Sequence, residues 1–199
     1  MSEIPASRIG FDFDGVIADI GSAFLEVACS RYGYCSVTLE QISSFQVEDS
    51  LNIPREVIEK IFQDILEDSI GTGLKPLPGA IDTITRISEA SVVHVITARP
   101  MIDPVKDWFA YYSPRSVLDK LNLIATGDHD NKEQYIREFG LTHFIDDRVQ
   151  TCEGLAASGL SALVYSQPWN QDQHSLPAVA DWAEISVLLG FKHQEPGSS

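Results

Sequence analysis

Arg8-Ile9-Gly10-Phe11-Asp12-Phe13-Asp14-Gly15-Val16 is the stretch on which the reading of this chain turns. Ile9, Phe11 and Phe13 alternate as a buried strand does, and Gly15 supplies the turn by which the chain leaves the sheet. Two carboxylates, Asp12 and Asp14, therefore stand where that strand ends. Carboxylates crowded at a sheet edge repel one another unless a cation sits there, which suggests a hard divalent metal such as Mg²⁺. Plain turn chemistry competes with this explanation, since Asp and Gly are common after strands.

Three further signals favour the metal. Val92-Val93-His94-Val95-Ile96 is a short apolar run ending in Thr97-Ala98-Arg99-Pro100. Lys132 opens a helical-looking segment that runs to Phe139, and His143-Phe144-Ile145 leads into Asp146-Asp147-Arg148. A Thr, a Lys and a second acidic pair, each beside the end or sequel of a strand, are what aspartyl-phosphate chemistry needs. A carboxylate is the nucleophile, the metal and Lys neutralise charge, and the Thr hydroxyl donates to phosphoryl oxygens. Two rival readings fail on the residues. An EF-hand loop counted from Asp12 would need an acid or amide at its fifth position and a Glu at its twelfth, where this chain has Val16 and Ala23. A receiver-type phosphoacceptor domain places its acidic pair early and its Lys after the last strand, whereas here Asp146-Asp147 follows Lys132.

The chain resembles the haloacid-dehalogenase-like phosphohydrolases. Their four motifs occur in order as Asp12-Phe13-Asp14-Gly15-Val16, Ile96-Thr97, Lys132 and Ile145-Asp146-Asp147, within a match running from Arg8 to about Asn170. Asp12-x-Asp14-Gly15-Val16-Ile17-Ala18-Asp19, Ile96-Thr97-Ala98-Arg99-Pro100 and Phe144-Ile145-Asp146-Asp147-Arg148 look like the 5'(3')-deoxyribonucleotidase-like branch. The resemblance implies that Asp12 is the nucleophile. Asp14 protonates the leaving alkoxide, then deprotonates the water that opens the aspartyl-phosphate, and lends its main-chain carbonyl to the metal. Asp146 or Asp147 completes the Mg²⁺ site, one directly and the other through water. Thr97, the Ala98 N–H and Lys132 hold the phosphoryl group. Arg99 is either a further phosphate ligand or an exposed charge, and Arg148 carries the same ambiguity. His94 and His143 read as structural.

The patterning predicts an α/β fold, a Rossmann-like three-layer parallel sheet of five main strands: Arg8–Phe13, Val92–Ile96, Asn122–Ala125, Thr142–Ile145 and Ala162–Tyr165. The resemblance adds the strand order 5-4-1-2-3. Helical faces are expected at Ala80/Ile81/Ile84/Ile87, at Val105/Trp108/Phe109/Tyr112 with Asp103-Pro104 as cap and first turn, and at Tyr135/Ile136/Phe139 and Trp182/Ile185/Leu189. Far more chain than one crossover requires separates the first two strands. It carries helical faces at Phe24/Leu25/Ala28/Tyr32 and Val57/Ile58/Ile61/Phe62/Ile65/Leu66. The expected organisation is a core of residues 1–17 and 76–192, a small helical cap over 18–75, and a disordered tail over 193–199.

At 199 residues the chain can bury one substantial core, and its net charge of −15 argues against nucleic-acid polymers and anionic membranes as partners. That charge also opposes the expected substrate. At ~4 Å two unit charges interact by about 4 kcal/mol at an effective dielectric of 20, so Asp12 cannot approach a phosphate dianion unaided. Cys29, Cys35 and Cys152 form no paired framework and read as reduced thiols. With no signal-like start and no long apolar run, a cytoplasmic location is expected. The branch resemblance implies a small nucleoside monophosphate substrate, with a pyrimidine 5'-deoxyribonucleotide favoured. Phe45 or a cap Tyr could stack its base. Phe24, Tyr32 and Phe62 are expected to build the cap's own core. All three Trp lie outside the cap, and Trp169, in Gln167-Pro168-Trp169-Asn170, either lines the site or packs its loop. The alternatives are a phosphatase for another small metabolite, such as a phosphosugar or phosphoglycolate, and a phosphometabolite-binding protein without turnover.

Overall fold

The computed structural model describes residues 3–171 and 174–191. The expected tail at 193–199 lies outside them. Six strands are formed: β1 Ile9–Phe11, β2 Val93–Thr97, β3 Leu121–Ala125, β4 His143–Asp146, β5 Ser161–Tyr165 and β6 Ala178–Val179. All neighbours pair in parallel, in the order β3-β2-β1-β4-β5-β6. This is the expected order with one short strand added at the edge. The connection from β1 goes to one side of the sheet and that from β3 to the other, so a crevice opens at the carboxyl end of β1, between β2 and β4.

The first strand is shorter than Arg8–Phe13. The Asp12 N–H still donates to the Ile145 carbonyl at 2.8 Å, and the ladder then stops because Phe13 enters a tight turn. The Ile17 and Ala18 N–H groups both donate to the Phe13 carbonyl at 2.9 Å.

The helices are α1 Ile20–Tyr32, α2 Arg55–Glu67, α3 Ala80–Ala90, α4 Asp103–Tyr112, α5 Arg115–Leu118, α6 Lys132–Glu138, α7 Val149–Ala157 and α8 Trp182–Leu188. Helix α7 had no expected counterpart. In α4 the cap position belongs to Ile102, so Asp103 is a first-turn acid rather than the cap. The sheet is covered on both faces, as an all-parallel sheet must be. Phe144 and Val164 pack on one side with Ile136, Cys152 and Leu155. Ile145, Leu163 and Tyr165 point to the other side, into the core that holds α3, α4 and α8. The rings of Phe11 and Trp182 lie 5.2 Å apart, and the buried indoles of Trp182 and Trp108 donate to the Val16 and Leu74 carbonyls at 2.7 and 2.8 Å.

Helices α1 and α2 lie in the long insertion after β1. Asp19 caps α1 by accepting from the Ser22 N–H at 3.0 Å. The insertion leaves and returns side by side: the Asp19 N–H donates to the Lys75 carbonyl and the Leu77 N–H to the Ile17 carbonyl, both at 2.8 Å. Phe24 and Phe62 pack at 5.2 Å between the two helices, and the Tyr32 hydroxyl donates to Asp64 of α2 at 3.1 Å.

The expectation of three reduced thiols is corrected. Cys29 and Cys35 form a disulfide. Gly33, in the left-handed region at φ 80°, ends α1 and turns the chain back, bringing the two Cα atoms to 4.2 Å. Cys152 is a free, buried thiol whose pKa is pushed up by burial and by the nearby carboxylates of Asp146 and Asp147. Among the described residues no helix is long and apolar enough to cross a membrane.

Candidate active site

The carboxyl ends of β1, β2 and β4 bring Asp12, Thr97 and Asp146 into one crevice, and the N-terminus of α6 adds Lys132. The Lys132 ammonium lies 2.8 Å from Asp12 Oδ2 and 2.7 Å from Asp146 Oδ2, with 1% of its side chain exposed. Asp12 Oδ1 accepts from the Phe13 N–H at 2.7 Å, and Asp146 Oδ1 from the Arg148 N–H at 2.9 Å. Asp147, next in the chain, turns its carboxylate toward the same space. Its Oδ2 accepts from the Trp169 indole N–H at 2.8 Å.

Gly15 is required for this approach. It sits at φ 72°, and a Cβ there would stand 2.3 Å from Asp147 Oδ2. The turn is held from the other side, where the Gln167 side-chain amide donates to the Gly15 carbonyl at 2.7 Å. Asn170 donates to the carbonyls of both Asp147 and Tyr165 at 2.8 Å. Gln167 and Asn170 were not singled out from sequence. Their roles depend on carbonyls that only the fold brings near them.

One oxygen each from Asp12, Asp146 and Asp147 lies within 4.8 Å of the others. Three buried carboxylates face one ammonium, so if all ionise the cluster lacks two positive charges. The strain shows in the titration of the cluster. Burial, with Asp146 beside it and Lys132 opposing, pushes the Asp12 carboxyl up to about 7. Burial and the Asp146 and Asp12 charges hold Asp147 well above the ordinary carboxylate range. Burial disfavours the Lys132 ammonium, yet the carboxylates of Asp12 and Asp146 keep its pKa above the usual lysine value. An all-oxygen donor set missing two charges fits a hard divalent cation.

Asp14 is not among the three clustered carboxylates, and 24% of its side chain is exposed at the cavity. Both of its oxygens accept from the Arg99 guanidinium, Oδ2 from Nε and Oδ1 from Nη2, each at 2.7 Å. Arg99 is therefore a buried ion-pair partner, not an exposed charge. Thr97 is buried and its hydroxyl oxygen accepts from the Arg99 N–H at 3.3 Å. Ala98 lines the cavity beside it. Arg148 is half-buried, its guanidinium carbon 5.6 Å from the Phe45 ring centre and its Nη1 3.5 Å from Asp130. His94 pairs with Asn122 at 3.1 Å and stacks on Phe139, consistent with a structural role.

A cavity of about 590 Å³ lies over these groups, between the sheet end and the inserted helices. Phe24, Ile42, Phe45, Phe62 and Trp169 supply apolar wall, and Glu48, Glu59 and Glu67 also face it. Phe24 and Phe62 thus serve both the packing of the insertion and the wall. Trp169 likewise does both things considered for it, lining the cavity and holding its loop to Asp147. His129, which the sequence did not single out, also lines the cavity and packs edge-on against Phe45 at a ring distance of 5.6 Å.

A family model described as 5' nucleotidase, deoxy (pyrimidine), cytosolic type C matches residues 6–194. A curated protein of Oceanobacillus iheyensis, which carries the provisional name of nucleotidase, is 22% identical over 184 residues, covering 89% of this chain and 96% of its own. Among solved structures, a haloacid-dehalogenase-superfamily hydrolase from Geobacter sulfurreducens superposes with a TM-score of 0.61 at 16% identity, over 96% of this chain and 100% of that one. A haloacid-dehalogenase-like hydrolase from Streptococcus pneumoniae gives 0.56 at 17% identity, over 92% and 97%.

Proposed function

We propose that this chain, which belongs to the deoxy (pyrimidine), cytosolic type C 5' nucleotidase family, hydrolyses phosphate monoesters through a phosphorylated Asp12 and takes a nucleoside monophosphate as substrate. The observation that carries the reading is the buried set of Asp12, Asp146, Asp147 and Lys132, of which Asp12 and Asp147 line a cavity large enough for a nucleoside.

In this reading a carboxylate oxygen of Asp12 attacks phosphorus and the bond to the ester oxygen breaks. Lys132, the Thr97 hydroxyl and the Ala98 N–H hold the phosphoryl oxygens. Asp14 gives its proton to the departing alkoxide, then takes one from the water that attacks the acyl-phosphate, which frees Asp12 and inorganic phosphate. The carboxylates of Asp12, Asp146 and Asp147, with the Asp14 main-chain carbonyl, would hold Mg²⁺. When bound, it supplies the positive charge that lets an anionic nucleophile meet an anionic substrate. The Trp169 bond to Asp147 Oδ2 fixes the orientation of the carboxylate for that duty. Residues 18–75 act as a small helical cap over the site.

The substrate class rests on the cavity wall. Phe45 and Phe62 offer ring faces and edges to a base, and a pyrimidine deoxyribonucleoside suits the apolar lining. Glu48, Glu59 and Glu67 would repel a leaving group that carries its own carboxylate, which disfavours phosphoglycolate. A comparison of kcat/KM for thymidine or deoxyuridine monophosphate with that for a simple phosphosugar, at fixed Mg²⁺, tests the assignment. A nucleotide no better than the sugar phosphate refutes the nucleotidase assignment and leaves the phosphohydrolase chemistry standing.

A further inference from the structure

Arg99 is 3% exposed, and the partners of its guanidinium nitrogens are Asp14 and Ser69, neither of them in the carboxylate cluster that would receive a phosphate. Nε and Nη2 clasp the two oxygens of Asp14, and Nη1 donates to the Ser69 hydroxyl at 2.7 Å. Ser69 in turn donates to the Ile65 carbonyl at 3.0 Å, in the last turn of α2. The guanidinium carbon lies 4.9 Å from the centre of the Phe13 ring. One side chain thus joins the strand that carries Thr97, the turn that carries Asp14 and the foot of the inserted helices.

We propose that Arg99 is a positioning residue for Asp14 rather than a ligand of the phosphoryl group, and that through Ser69 it ties the orientation of that carboxylate to the cap. This rests on the reading of Asp14 as the proton-transfer group above. A carboxylate a quarter exposed at a cavity edge has rotamer freedom, which a forked guanidinium removes by binding both oxygens at once. Lysine, a point charge on a flexible stem, cannot make that fork. A guanidinium with all three nitrogens engaged would have to break charge-assisted bonds to reach a phosphate, whereas the Thr97 hydroxyl, which accepts from the Arg99 N–H, keeps its own proton to donate at the cavity. Arg99 exchanges no proton in the reaction. Asp14 must carry a proton on an oxygen released from the fork while the other stays on the guanidinium; it passes that proton to the leaving oxygen and recovers one from water.

The test compares two esters of similar size and unequal leaving groups, 4-nitrophenyl phosphate and 2-phenylethyl phosphate, at saturating Mg²⁺. Misplacing a proton donor harms the alkyl ester, whose oxygen must be protonated as it leaves, and largely spares the aryl ester. In Arg99→Met and Arg99→Lys the alkyl-to-aryl ratio of kcat/KM should fall by about tenfold or more, part of the 10²–10⁴-fold that acid–base catalysis supplies. Ser69→Ala should shift the ratio the same way by a smaller factor. Inhibition by inorganic phosphate should stay within about twofold of wild type in all three, because uniform binding is untouched. The ratio is read within one preparation, so a partly folded variant does not distort it. A parallel loss of both esters, with phosphate inhibition weakened, would make Arg99 a phosphate ligand and overturn the proposal. So would an unchanged ratio. Asp14→Asn separates the two levels. If it fails to split the esters, the parent reading of Asp14 is wrong. If it splits them and the Arg99 and Ser69 variants do not, only the positioning role is lost.

Discussion

Replacing Lys132 by Met keeps most of the apolar stem and removes an ammonium that lies 2.8 Å from Asp12 and 2.7 Å from Asp146. Both carboxylates are left buried without their cation. Removing one partner of a buried pair costs about 3–5 kcal/mol. Proton uptake by Asp12, whose pKa already stands at about 7, limits the cost at neutral pH. In a chain of this size each kcal/mol moves Tm by roughly 2–4 °C, so Tm in EDTA should fall by roughly 6–20 °C. Added Mg²⁺ should narrow that gap, because the ammonium and the metal compete for Asp12 and Asp146, so the variant binds the ion more tightly. A ligand at a hundred times its Kd stabilises by about 2.7 kcal/mol, enough to recover much of the loss. Thermal unfolding followed by circular dichroism, with EDTA and across a Mg²⁺ titration, reads both quantities. A loss under ~2 °C in EDTA, or a gap that widens with Mg²⁺, refutes the electrostatic account of the cluster.

Asp12→Asn should abolish turnover of 4-nitrophenyl phosphate and trapping by beryllofluoride, and near-normal activity would disprove the nucleophile assignment. The folded pKa of Asp12 lies above its unfolded value, so its ionisation opposes folding: the penalty is absent below pH ~4, grows as pH rises toward 7 and is constant above. Metal-free stability should accordingly decline over that window, and calorimetric Mg²⁺ affinity should weaken as pH falls below about 7, where protons compete for the same oxygens. A Mg²⁺ affinity flat between pH 5 and 8 would contradict this. Gly15→Ala forces a Cβ to within 2.3 Å of Asp147 Oδ2 at φ 72°, so Mg²⁺ affinity and activity should both fall sharply, and an unaffected Kd for Mg²⁺ would count against Asp147 as a ligand.

The central strands and the residues at their ends were legible because both leave local patterns. Alternating Ile9, Phe11 and Phe13 before two acids, and apolar runs that end in Thr97 or Asp146, need no knowledge of distant chain. Helix α7 was obscured: Val149, Cys152 and Leu155 do share a buried face, but Gly154 interrupts the helical pattern. A two-residue strand such as β6 has no period to detect. The disulfide escaped because a spacing of six says nothing until Gly33 reverses the chain. Gln167, Asn170 and Ser69 are invisible to pattern for another reason. Each acts on a main-chain carbonyl or a guanidinium far away in sequence, and such supports acquire meaning only from the fold.

The paired feet of the insertion, where Asp19 bonds to Lys75 and Leu77 to Ile17, separate two design problems. Because the ends are clasped to each other and Ala18 bridges to Pro76, the sheet meets the same boundary whatever lies beyond the clasp. The entropy of closing β1 onto β2 then depends only weakly on insertion length, by about 0.6 kcal/mol per doubling. Helices can be lengthened, exchanged or lost beyond that point without re-registering the strands that present Asp12, Thr97 and Asp146. Choice of leaving group can drift while phosphoryl chemistry stays put. Ser69 and Arg99 set the limit of that freedom, since any replacement must still set a hydroxyl against the guanidinium that orients Asp14.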